Sequence, residues 1–149
     1  MRILCLFFAL FLGCAAGCTA MGGDWVELKG NRYAVEVSDD DASRARGLMF
    51  RDAMADDAGM LFIHDRTEHL AYWMKNTRIA LDILYFDEGL TLVSQQRNVP
   101  PCLSGVNCPV YPSRAPARYV LELNAGQAAR LGLEDGAALT LGPAIRPAR

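Results

Sequence analysis

The sequence lacks a long apolar run that would anchor it permanently in a membrane, and it has no excess of basic residues. Its N-terminal apolar stretch, residues 3–13, is shorter than the roughly 20 residues that a membrane-spanning helix requires. The 149 residues contain 15 Lys+Arg and 17 Asp+Glu with no basic patch, so nucleic acid is not an expected partner. The sequence also has no Gly-x-Ser-x-Gly elbow of the α/β-hydrolases and no internal repeat. Its composition suits one globular domain.

The first 18 residues have the pattern of a signal peptide. One arginine precedes the apolar stretch, and small residues then precede a cysteine twice, at Cys14 and at Cys18. The segment 15–18 resembles the lipobox at which bacterial lipoproteins are cleaved and acylated. We therefore expect an exported, periplasmic lipoprotein with its lipid on Cys18, followed by a short tether, residues 19–24. Acylation at Cys14 and ordinary cleavage without a lipid are the alternatives.

Two further cysteines, Cys102 and Cys108, lie close together in the sequence. In an exported protein such a pair is expected to form a disulfide. A redox-active pair is the alternative, but the spacing is not the Cys-x-x-Cys motif that lowers a thiol pKa. Residues 99–117 around this pair contain five of the seven prolines and are predicted to form a long irregular loop stapled by the disulfide.

Most of the remaining chain has the alternation of apolar and polar residues that is typical of strands. Residues 29–31 and 87–89 predict tight hairpin turns, and the acidic segment 38–41 predicts the start of a helix over 41–48. Many short strands with one or two short helices predict a mainly β domain, a β-sandwich or an open barrel, over residues 25–142 with a tail at 143–149. The predicted strands are residues 25–28, 33–37, 60–63, 70–73, 81–86, 90–93, 119–123 and 138–141.

Several motifs in a fixed order resemble a known family. They are Arg46–Arg51, Gly59–Phe62, Trp73–Thr77 with Leu81–Ile83, and Tyr119–Gly126. Together they resemble domain of unknown function 192 over about residues 35–141. The resemblance implies a compact, jelly-roll-like β fold, often exported, with a short helix near residues 43–48. It implies no activity, because the family has none established.

The segment 71–89 places polar residues inside an otherwise apolar run. In an extended strand over 81–86, Asp82 shares a face with apolar residues, and both faces look buried. A buried carboxylate needs a cation or several N–H donors, and Lys75, Arg78 and Arg46 are the nearest cations in the sequence. We predict one polar network here, either purely structural or forming the edge of a ligand site. The residues predicted to bind the ligand are Arg46, Trp73, Lys75, Asn76 and Asp82.

Three functions follow from these observations. The first is non-catalytic binding of a small polar ligand, or of an envelope protein, at the edge formed by residues 73–76. The second is a hydrolase-like or carbohydrate-active enzyme with Asp82 as its acid or base, for which Glu122 is a conceivable second carboxylate. The third is a structural envelope protein, which predicts that Trp73 and Lys75 lie apart. No cofactor is predicted.

The two histidines, His64 and His69, flank a charged segment that raises the question of a metal site. Residues five apart point in different directions on a helix and to opposite faces of a strand. Only a loop could bring them together, so no metal site is predicted. We interpret residues 64–69 as an exposed hairpin tip.

Overall fold

The structure, a computed structural model, describes residues 23–146. The predicted signal peptide, both candidate lipidation sites Cys14 and Cys18, and most of the predicted tether lie outside the described residues. Between residues 23 and 146, no helix has the length and apolar character needed to cross a membrane.

Nine strands and two short helices make up the described domain. Seven strands form one sheet in the order β6-β5-β8-β3-β2-β1-β9, and β4 pairs with β7 in a separate two-stranded ribbon. All neighbouring strands are antiparallel except β2 and β3, which are parallel. The elements are β1 (Trp25–Leu28), β2 (Asn31–Ser38), α1 (Asp41–Arg46), β3 (Ala58–Glu68), β4 (Ala71–Trp73), β5 (Leu81–Phe86), β6 (Leu92–Val99), β7 (Val110–Pro112), β8 (Ala117–Asn124), α2 (Gln127–Arg130) and β9 (Leu139–Leu141).

The seven-stranded sheet curls so that its two edges meet at one end. Thr91, just before β6, pairs with Ala138, just before β9. The Leu92 amide donates to the Ala137 carbonyl at 2.8 Å, and the Leu139 amide donates to the Leu90 carbonyl at 2.9 Å. The prediction of a mainly β fold with one or two short helices is confirmed, and the curled half-barrel corresponds to the open-barrel form of that prediction.

The sheet is buried on both faces. The inner face encloses one apolar cluster, which includes Leu84, Phe86 and Leu121. A second cluster, which includes Ile83 and Tyr85, lies on the outer face beneath α1, β4 and β7. All six residues of β5 are therefore buried. Ile145 joins the inner cluster, so packed structure continues into the segment predicted as a tail.

Local turn and cap chemistry agrees with the sequence. Lys29 and Gly30 connect β1 to β2 with φ values of 49° and 76°, the two left-handed positions that a type I′ hairpin turn needs. Asp40 caps α1 by accepting from the amides of Ala42 and Ser43, both at 2.9 Å. The helix ends at Arg46 because Gly47 leaves the helical conformation with φ 46°, two residues before the predicted end.

The cysteine-containing loop is partly regular. Cys102 and Cys108 form a disulfide, as predicted. The loop was expected to be irregular throughout, but β7 lies within it and pairs with β4, with Trp73 opposite Val110. A three-residue strand that ends in proline has too little alternation to be recognised from sequence.

Asp82 is buried, as predicted, but its partners are not cations. Its side chain is fully inaccessible to solvent, and its two carboxylate oxygens accept hydrogen bonds from the Asn98 amide at 2.8 Å and the Ala128 amide at 2.7 Å. The prediction that Lys75, Arg78 or Arg46 neutralises it is wrong: among the described residues, none of these forms an ion pair with Asp82.

The two backbone amides that donate to Asp82 have no other acceptor among the described residues, because neither strand pairing nor a helix cap supplies one. Asn98 lies at a register shift between β5 and β6, with φ 52°, where the ladder cannot satisfy its N–H. Ala128 lies in the first turn of α2, whose N-cap residue, Gly126, has no side chain to accept a hydrogen bond. Asp82 therefore joins β5, the bulge of β6 and the start of α2.

We expect replacement of Asp82 to destabilise the fold. Asp82→Ala leaves two buried amides without an acceptor and should lower the free energy of unfolding by about 3 kcal/mol. Asp82→Asn should cost less, because its one amide oxygen still accepts from one of the two amides. Urea unfolding measures both. Asp56→Ala, which removes an exposed carboxylate, is the control and should change the free energy by less than about 0.5 kcal/mol. An unchanged midpoint for Asp82→Ala would contradict this role.

Candidate functional site

A cavity of about 540 Å³ opens on the outer face of the sheet. Its walls come from α1 and the turn after it, from the second half of β3, and from β4 with the residues that follow it. Glu122 of β8 forms its floor. The volume falls within the range of small-molecule sites, about 300–1,000 Å³.

Glu122 reaches this cavity because of its register in the sheet. It lies opposite Met60 of β3 and Ile83 of β5, both members of the outer cluster, so its side chain points to the outer face. Only 4% of the residue is exposed. No hydrogen-bond donor or cation of residues 23–146 contacts its carboxyl group, and burial alone raises its pKa to about 8.

Aromatic side chains surround the floor. The ring of Tyr72 packs edge-on against Phe62 and Tyr85, with centroids 5.1 and 6.0 Å away. The Tyr72 hydroxyl is 2.9 Å from Nε2 of His64, and the Tyr85 hydroxyl donates to the Tyr111 carbonyl at 2.6 Å.

The pKa values of these side chains are shifted toward their neutral forms. Burial, with the nearby Glu122, raises the pKa of both Tyr72 and Tyr85. Burial, followed by the charge of Arg44, lowers the pKa of His64. The deep part of the cavity is therefore an apolar, aromatic environment around one carboxyl group.

The rim of the cavity is charged. Arg44 is anchored by hydrogen bonds to the Ile63 carbonyl and to Asp41, and Arg66 is paired with Glu68. Two other cations, Arg46 and Lys75, form no ion pair with a described residue. The Lys75 Nζ lies 5.1 Å from the ring centroid of Trp73, which is 51% exposed.

Three of the five predicted ligand-binding residues line this cavity: Arg46, Trp73 and Lys75. Asn76 does not. It adopts φ 55°, its carbonyl accepts from the Phe50 amide at 2.8 Å, and it lines a smaller cavity of about 320 Å³ with Phe50, Arg78 and Leu103.

Asp82 does not reach the cavity either, because it points to the inner face of the sheet. In the register of β5 with β8, Asp82 lies opposite Leu123 and Ile83 lies opposite Glu122. The two carboxylates therefore point to opposite faces and cannot act as a catalytic pair. An enzyme that uses Asp82 as its acid or base needs this side chain at an open cleft. In the structure the side chain is fully buried on the inner face of the sheet.

Residues 64–69 do not form a hairpin tip, although the predicted exposure is found at Asp65, Arg66, Thr67 and His69. β3 continues to Glu68, and His64 is half-buried against Tyr72. His69 is exposed. Within residues 23–146, no group of three or more His, Cys, Asp or Glu side chains has the arrangement of a metal site.

Glu122 was considered from sequence only as a partner of Asp82. It lies in an alternating run, which predicts a strand but does not show what covers its two faces. Its burial follows from the pairing of β8 with apolar strands on both sides, which the sequence does not show. His64 and Tyr72 carried no signal of their contact either, because it joins β3 to β4 across a turn.

Comparisons with known proteins identify the family but no activity. The chain is similar to a structure from Sinorhizobium meliloti 1021 described as a candidate transcription regulator, with 36% identity over 79% of this chain and 91% of that one, and a TM-score of 0.71. It is also similar to a protein of unknown function from Novosphingobium aromaticivorans DSM 12444, with 31% identity over 78% and 81% of the two chains, and a TM-score of 0.70. No curated protein matches the chain. The model of the DUF192 family, described as "Uncharacterized ACR", matches residues 25–141, and the chain therefore belongs to this uncharacterised family.

Proposed function

We propose that the protein is a non-catalytic binding protein whose outer cavity takes a small polar ligand. One observation carries this proposal: Glu122 is almost completely buried, has no partner among the described residues, and forms the floor of a ligand-sized cavity. Among the described residues no fully buried side-chain oxygen lacks a hydrogen-bond partner, so the unpartnered carboxyl oxygens of Glu122 are accessible from the cavity. A bound ligand would supply the missing partner.

The rest of the cavity supports ligand binding. Apolar and aromatic walls with a few convergent polar groups are the usual composition of a small-molecule site. Trp73 and Lys75 share this cavity, whereas a purely structural role predicted that they would lie apart. The lining includes no serine or cysteine beside His64, which gives covalent catalysis no support.

The charges of this chain do not support the transcription-regulator role named in the description of the Sinorhizobium meliloti structure. DNA binding depends mainly on clustered Lys and Arg that contact phosphates. This chain has a formal net charge of −2, and its cavity combines cations with carboxylates. The cavity favours a small molecule over a polyanion.

We also propose export, with a lipid anchor at Cys18 or, alternatively, at Cys14. The signal-like N-terminus is one support. The disulfide between Cys102 and Cys108 is the other, because such bonds persist mainly in oxidising compartments.

The thiol state in cells tests export. Rapid acid quenching followed by alkylation with a mass tag should leave Cys102 and Cys108 of the full chain unmodified unless a reductant is added. Replacing both Cys14 and Cys18 by serine should shift the protein from the membrane fraction to the soluble exported fraction. Free thiols at Cys102 and Cys108 would contradict export.

A thermal-shift screen of the full chain tests ligand binding. The compounds are neutral sugars, amino acids, organic acids and inorganic phosphate. At 100 times its Kd, a ligand stabilises the folded state by about 2.7 kcal/mol, which shifts the melting temperature by several degrees. Trp73→Ala and Arg46→Gln should reduce the shift. The matched controls Leu103→Ala and Arg78→Gln, which alter the smaller cavity, should retain it. Failure of every compound, or equal loss in the controls, would overturn the proposal.

The protonation of Glu122 gives a pH prediction for the ligand-free protein. The unfolded carboxyl releases its proton near pH 4.5, and the folded one near pH 8. The folded state holds the proton more tightly than the unfolded state. The contribution of Glu122 to the free energy of unfolding is therefore fully present below pH 4.5 and is lost as the pH rises to about 8. The slope should approach about 1.4 kcal/mol per pH unit.

Glu122→Gln should remove that slope, so its stability relative to wild type should increase from pH 5 to pH 8 and then level off. Urea unfolding at each pH measures the difference. Glu134→Gln, at an exposed position, is the control and should follow the wild-type curve. Parallel curves for Glu122→Gln and wild type would show that the carboxyl is not perturbed by burial.

A further inference from the structure

The deep part of the cavity has the composition of an ammonium site. Glu122 is 4% exposed, lines the cavity, and has no cation among the described residues near its carboxyl group. The rings of Phe62 and Tyr72 line the same space. Aromatic faces attract cations, and the attraction grows when water is excluded. A ligand cation placed here would meet both a carboxylate and aromatic rings.

The rim of the cavity has the composition of an anion site. Arg46 and Lys75 form no ion pair with a described residue, whereas Arg44 and Arg66, at the same rim, are each paired with a carboxylate. Two cations without counterions suit an anionic group. They would also repel a ligand that carried only a positive charge.

We propose that the ligand is a small zwitterion, whose ammonium group binds Glu122 at the floor while its carboxylate binds Arg46 and Lys75 at the rim. This inference rests on the proposed function and specifies its ligand class. A neutral sugar would leave the two rim cations without counterions. A simple anion would satisfy the rim and leave the floor without a cation.

Binding of the ammonium group is coupled to a proton. In the empty cavity at pH 7 the Glu122 carboxyl is protonated, because burial holds its pKa at about 8. The bound ammonium stabilises the carboxylate, so the proton leaves Glu122 for solvent, and the ligand keeps all its own protons. Affinity should therefore rise as the pH approaches 8.

The pKa values of the other titratable groups near the floor are shifted toward their neutral forms. Tyr72 of β4 and Tyr85 of β5 face Glu122, and burial raises the pKa of each. Burial, followed by the charge of Arg44 of α1, lowers the pKa of His64 of β3. The charged groups farther out on the rim are Asp41, Asp65, Arg66 and Glu68.

Calorimetric titration of the full chain with matched compounds tests the proposal. The zwitterions are alanine, 4-aminobutanoate and 6-aminohexanoate. Each is compared with its matched acid (propanoate, butanoate, hexanoate) and its matched amine (ethylamine, propylamine, pentylamine). At least one zwitterion should bind at least tenfold more tightly than both of its matched compounds. Titrations at pH 7 in phosphate and in Tris, two buffers with different ionisation enthalpies, should show release of close to one proton per bound ligand. The affinity should rise about tenfold from pH 6 to pH 7.

Variants test which residues bind the ammonium group of the ligand and which bind its carboxylate. Glu122→Gln should weaken the zwitterion at least tenfold and abolish both proton release and pH dependence, without affecting the matched acid. Arg46→Gln and Lys75→Gln should weaken the zwitterion and leave the matched amine unaffected. Glu134→Gln removes an exposed carboxylate outside the cavity lining and should change affinity by less than about twofold while retaining proton release.

The outcomes separate this inference from the proposed function. If sugars or simple acids bind as tightly as the zwitterions, or if binding takes up protons, the zwitterion assignment is wrong and ligand binding stands. If none of these compounds binds and the thermal-shift screen is also negative, both are wrong.

Discussion

The structure depends on one constraint: β5 and β8, paired at the centre of the curled sheet, are buried on both faces. Each ionisable side chain on these strands must be satisfied inside the protein or remain costly. Asp82 and Glu122 lie on this strand pair and point to opposite faces. Asp82 accepts two hydrogen bonds from backbone amides. Glu122 accepts none from the described residues.

The curl of the sheet explains why the cavity above Glu122 lies on the outer face. The inner face closes on itself, because the edges near β6 and β9 meet and the apolar side chains fill the interior. The outer face needs a cover from elsewhere in the chain. α1, the β4–β7 ribbon and the disulfide loop supply it in separate pieces. The cavity lies where α1 and the ribbon do not meet, above Glu122.

Sequence reasoning succeeded where the determining contacts are local. The turn at Lys29 and Gly30, the cap at Asp40 and the disulfide each depend on residues close in sequence. The burial of Asp82 followed from the alternation within β5 alone. Its partners did not, because the Asn98 amide is freed by a bulge and the Ala128 amide by a distant helix start. β7 was missed because its pairing with β4 is non-local and its proline-rich context indicates a loop.

The two buried carboxyl groups differ in what they contribute to the stability of the fold. Asp82 stabilises the fold, since the two amides it satisfies would otherwise be buried without an acceptor. Glu122 makes no such contribution. Its raised pKa means that the folded state opposes its ionisation, and an apolar side chain there would avoid that penalty. Within residues 23–146 no contact in the packing of the sheet requires a carboxyl group at position 122, and the proposed ligand would give this group the partner that the fold does not.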